Sequence, residues 1–238
     1  MAATDEIIHV GEVIQASSIS LTAVCTVDTD LSASFPDPPS LGAFVRIPVG
    51  STNASEPEPL SECAEDIDPF LSTSPRLSLP PDTIFGIVSY VQTSSIDPGR
   101  RPSPLGISTA DELLRIQPQI FELLTVEMTI ALTSYTDSDA KLLHRIPPKP
   151  PHIHSFVYAC PQSQVAALTE DLGFLRTVLG NGGQTGSASS DDIAAAVLYS
   201  GWLARNFDEN YIVAAGKAIL RMLSNDYERF KSIIQRIS

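Results

Sequence analysis

Basic residues are scarce. Fifteen Lys and Arg stand against 28 Asp and Glu, a formal net charge of −13 over 238 residues. A surface that negative repels nucleic acid, whose binding rests on phosphate contacts, so a role near DNA would run through a protein partner. Cysteine is scarce too. Cys25, Cys63 and Cys160 are odd in number and none belongs to a Cys-x-x-Cys pair. That excludes a disulfide framework and predicts a reducing, cytoplasmic setting. No stretch approaches the roughly 18 consecutive apolar residues of a membrane span. The opening "MAATDEIIHV" has neither a basic n-region nor a long apolar core, so a secretory leader is not expected. Only 18% of residues are charged, while prolines number 19. Short strands joined by proline-punctuated loops fit that composition better than an all-helical bundle does.

What is present divides the chain in two. Hydrophobic residues make up 43%, enough for a sizeable core. Residues 1–160 hold 20 acidic and 8 basic side chains, and residues 161–238 hold 8 and 7, so the acidity belongs to the first part. In "VGEVIQASSISLTAVC" the residues Val13, Leu21, Ala23 and Cys25 share one parity, with Val27 continuing it, and this reads as strand, with a strand pair or a bend at "SISLTA" in its middle. A strand is predicted at 43–49 behind Gly42, another at 83–96, another at 121–136, and a closing strand in "PPKPPHIHSFVYACP". Insertions are expected at 50–82, acidic and proline-rich, and at 97–118, with a short helix starting at Thr109. From residue 162 the spacing turns helical. Val165, Leu168, Leu172, Leu175 and Leu179 predict one helix ended by Gly180, followed by helices capped by Ser190, Asp208 and Asn225. The expected fold is β + α: a small, closed or nearly closed antiparallel barrel of about six strands in residues 1–160, then a helical bundle in 161–238.

Chemistry is hard to find in the pattern. The glycines at 180–186 lack a lysine, and Gly216–Lys217 lacks the upstream glycine of a phosphate-cradling loop. His152 and His154 are predicted on one face of a strand, with Cys160 nearby, but no companion cysteine makes a zinc site of them. Glu122 with Glu127, and Asp191 with Asp192, read as polar strand positions and a helix first turn. No Gly-x-Ser-x-Gly elbow is present. Neither catalytic residues nor cofactors are therefore expected. The residues left as interaction candidates are Arg100 and Arg101, the basic doublet of an acidic region, and Trp202, Arg205 and Tyr211 in "WLARNFDENY".

The segments "GEVIQASSISLTAVC", "LGAFVRIPV", "TIFGIVSYV" and "HSFVYACP" together resemble the HAS barrel, the small N-terminal barrel of HerA-type hexameric ATPases and of rotary ATP synthase catalytic subunits. The matching elements are the opening Gly11-Glu12-Val13-Ile14, the strand led by Gly42, and Gly86 with Val88. The tail is similar to that of stand-alone bacterial HAS-barrel proteins. The resemblance implies assembly and docking, with a hexameric ATPase or a nuclease as partner and self-association as a further option. The ATPase domain itself is missing, so the expectation is a non-catalytic adaptor, with a small-ligand or anion-binding barrel as the alternative.

Overall fold

Alternation of apolar and polar residues sets the first hairpin, and the hairpin begins a barrel. The computed structural model describes residues 8–26, 38–49, 79–97, 99, 103–117, 123–180, 188–224 and 226–237. Its strands are β1 (His9–Ala16), β2 (Ser20–Cys25), β3 (Phe44–Pro48), β4 (Thr83–Ser95), β5 (Leu124–Thr136), β6 (Leu142–Leu143) and β7 (Phe156–Ala159). They run in the order β2-β1-β7-β3-β4-β5, all antiparallel, and β2 pairs back onto β5. Six strands thus close into a barrel, the architecture the sequence predicts. β6 is an extra strand on β5, opposite Tyr135 and Thr136.

The inward parity fills the barrel. Val13, Ala23, Ile47, Met128, Ile130 and Val157 are buried in one apolar cluster. Space is tight enough that a Cβ on Gly11 would lie 2.5 Å from the Val24 carbonyl oxygen and 2.7 Å from Met128 Cε. The interior is therefore a packed core and not a ligand chamber.

A short helix, α1 (Ala110–Ile116), lies between β4 and β5, capped by the Thr109 hydroxyl as expected. After the barrel come α2 (Gln162–Leu168), a 3₁₀ turn (Leu172–Phe174), α3 (Leu175–Gly180), α4 (Ser190–Leu203), α5 (Glu209–Met222) and α6 (Tyr227–Ile237). The single helix predicted from 162 to 180 is in fact broken. The Thr169 hydroxyl bonds back to the Val165 carbonyl at 2.7 Å, and Asp171 accepts from the Gly173 amide at 2.9 Å. Such local side-chain bonds compete with the helical ladder. Ser189 rather than Ser190 caps α4, through a 3.1 Å bond from the Asp192 amide. Asp226 takes the Arg229 amide at the start of α6, and Asn225 lies outside the described residues.

α4 is the hinge pin of the whole. One side packs on the barrel, the other on α3, α5 and α6. At the barrel joint, Gly42 has φ +78°, and a Cβ there would stand 2.5 Å from Ala196 Cβ. Only glycine meets both conditions. Residues 79–82, predicted as part of an insertion, belong to the packed structure: Leu79 is buried with the helices and the Asp82 amide bonds to the Asp137 carbonyl. Residues 50–78 lie outside the described set.

Candidate protein-docking surface

The barrel's outer wall falls into three sectors. Over β3 and β4, Phe44, Phe85 and Ile87 face the helices and are 4%, 0% and 0% exposed. β4 is thus apolar on both faces, which explains the unbroken run "TIFGIV". Over β2 and β5 the outward positions include Thr22, Val24, Thr125, Glu127, Thr129 and Ala131, a mostly polar face. Over β1 and β7 the outward residues mix apolar and polar side chains, Ile14, Phe156 and Tyr158 with His9 and Glu12, and no described element covers them. Ile14 and Phe156 are 44% and 51% exposed.

Strand register builds this third sector into a cross-strand cluster. His9 stands opposite Tyr158, and Glu12 opposite Phe156. Tyr158 in turn stands opposite Arg46 of β3. The His9 ring lies 5.3 Å from Phe156, edge to face, and 5.5 Å from Tyr158. The Arg46 guanidinium sits over the Tyr158 ring at 5.9 Å. A register shift between Val13 and Gln15 turns Ile14 outward as an additional side chain. At the rim, Glu12 bonds to His154, whose backbone has φ +69°.

Arg46 is the cation of the cluster. Its Nε is buried without a hydrogen-bond partner, and no described residue forms an ion pair with it. Its positive charge reaches Cys160: burial pushes that thiol up to about 12, and Arg46 pulls the other way. Burial likewise pushes the Cys25 thiol up to about 11. Neither is an activated nucleophile.

The sequence candidates land elsewhere. Arg205 is committed inside the helical layer. It donates to Thr169 Oγ1 at 2.7 Å and to the carbonyls of Gly201 and Ala166 at 2.9 and 2.6 Å, and it stacks over the Tyr211 ring at 4.2 Å. Tyr211 is buried against Gly201, and burial pushes its phenol up. These two clasp α2, α4 and α5 together. Trp202 packs edge to face on Phe207 at 5.0 Å, beside Tyr199, in a second exposed aromatic corner at the end of α4, where Tyr199 and Phe207 are 44% and 45% exposed. Arg100 and Arg101 lie outside the described residues. His152 and His154 do not share a strand face, because both precede β7 and His154 belongs to a turn. Among the described residues no group of three or more His, Cys, Asp or Glu is placed to hold a metal ion. No described helix is long and apolar enough to cross a membrane.

Phe156 and Ile14 went unmarked in the sequence. The signal available was parity: Phe156 and Tyr158 flank the inward Val157. Parity reveals outward apolar residues but not whether helices cover them. No family model matches the chain. No curated protein matches it either.

Proposed function

We propose that the chain is a non-catalytic adaptor or assembly module that docks a protein partner through the β1–β7 wall. The observation that carries this reading is the cross-strand cluster of His9, Phe156 and Tyr158, which no described element covers, with Arg46 over the Tyr158 ring and Ile14 exposed on the same strand as His9. Exposed aromatic side chains beside an arginine are the composition of an interface core. A closed six-stranded barrel with a helical tail also suits the HAS-barrel resemblance. On that basis the first partner to test is a HerA-type hexameric ATPase or its nuclease. The filled interior speaks against a ligand held inside the barrel. Among the described residues of the barrel wall, Arg46 is a cation that an anion could meet from outside.

Calorimetric titration of the full chain with a purified HerA-type ATPase, and with its nuclease, tests the partner. Saturable binding that Phe156→Glu abolishes supports it. Absence of heat with both proteins removes that partner, and equal binding by Phe156→Glu removes the surface.

A further inference from the structure

The barrel is closed, yet among the described residues one of its strands has an open edge. The β3 partner of β4 ends at the pair Phe44 and Ile87, while β4 continues to Ser95 with only β5 beside it. Just beyond Ile87, Val88 still exchanges bonds with Gly42 and Ala43, and the Ser89 carbonyl accepts from Ala188. No described strand follows. The Ile96 amide donates to the Leu123 carbonyl at 2.9 Å, which sets the alternation along this arm. Gln92 and Ser94 therefore bond toward β5. Val91, Thr93 and Ser95 turn their N–H and C=O groups toward the open side.

Exposed edges of this kind are normally blunted by charge, proline or cover. The described residues put none of these on this one. Residues 83–96, "TIFGIVSYVQTSSI", contain no charged residue and no proline in a chain of net charge −13. The segment that could have continued β3 along the edge is peeled away at Gly42, whose φ of +78° turns the chain. A cleft of about 400 Å³ opens between the two. Among the described residues it is lined by Pro38, Pro39, Leu41, Ser89, Tyr90 and Val91, with others, none of them charged. Pro38 and Pro39 have no N–H, so neither can donate to β4.

We propose that the β4 edge is a strand-addition site. An extended, uncharged segment of a partner protein pairs with Val91, Thr93 and Ser95 and seats a small apolar side chain in the cleft. The occupant's conformation follows from the edge itself, since only an extended backbone matches alternating donors and acceptors. The site lies on a different strand from the aromatic cluster and does not depend on it.

A displayed library of random short peptides, panned against the full chain, tests the site. Selected peptides are expected to be uncharged and to slow amide exchange at Val91, Thr93 and Ser95, but not at Gln92 and Ser94, which β5 already holds. Thr93→Pro removes one outward N–H and spares the β5 ladder, so it should fold normally and bind such peptides about tenfold more weakly or worse. Thr93→Val, with its backbone intact, should bind like the parent. Should Thr93→Pro not fold, the exchange pattern alone decides. Failure to select any peptide, protection at Gln92 and Ser94 instead, or equal binding by a folded Thr93→Pro would each overturn the site.

Discussion

The wall over β3 and β4 and the wall over β1 and β7 both turn large apolar residues outward, and the described residues cover only the first of them. Phe85 and Ile87 disappear beneath α2, α3 and α4. Phe156 and Ile14, at equivalent outward positions, stay in water. Burying a side chain of this size stabilises a fold by about 1.5–3 kcal/mol, so the second wall leaves that term unclaimed. A single exposed phenylalanine would mean little. Here Phe156 belongs to a cluster of rings registered across β1 and β7, with a cation from β3, and the cluster does not help to hold the helices. The difference teaches that apolar content alone does not distinguish core from interface. What distinguishes them is which helix the connections deliver.

Substitutions should separate the two walls, the largest effect first. Phe85→Ala empties a fully covered position and should cost about 3–5 kcal/mol in denaturant unfolding. Gly42→Ala attacks the joint that brings α4 onto the barrel. Strained φ and a 2.5 Å approach to Ala196 together should cost about 2 kcal/mol or more by the same measurement.

The last helix buries Ile233 and Ile237 in the helical core and is also tied on by charge. Arg229 Nε meets Asp191 Oδ1 at 2.7 Å, and Arg236 meets Asp192 at 3.1 Å, joining α6 to the first turn of α4. Both Arg229 and Asp191 are partly exposed, so Arg229→Ala should cost only about 1 kcal/mol, and less in high salt.

The covered side also carries a pH response. His144 lies against Phe174 of the 3₁₀ turn, and burial holds its imidazole below the usual 6.5, with Asp171 pulling it back up. The unfolded chain therefore takes up this proton more readily. Stability should be full above about pH 6.5 and decline as pH falls through that value toward the lower native one. His144→Gln should flatten the dependence of the unfolding midpoint over that window. Smallest of all, Phe156→Ala should change stability by no more than about 0.5 kcal/mol, while weakening partner binding at least tenfold by titration.

Much of the covered half was legible in the sequence. Val13, Leu21, Ala23 and Cys25 share a parity and do share the interior. Asp208 was recognisable as a cap and accepts the Asn210 amide at 3.0 Å. Thr109 likewise caps α1. Closure of β2 on β5 was only suggested, because pairing between strands distant in sequence leaves no local mark. Arg205 and Tyr211 stood out as an arginine and an aromatic beside Trp202. Their spacing could not reveal that Arg205 turns inward onto Thr169 and the Ala166 carbonyl. His152 and His154 suggested a strand because alternation says nothing of φ, and His154 adopts φ +69° in a turn. The docking wall itself was hidden because its defining property is the lack of a covering helix, which only the fold decides.

The most direct test of the account is paired affinity purification from the native cell, using the parent chain and Phe156→Glu as baits, with Thr129→Glu on the mostly polar sector as control. The account predicts a specific partner that is retained by the parent and by Thr129→Glu and lost from Phe156→Glu, with all three baits equally stable. Recovery of the same proteins by all three baits would contradict it.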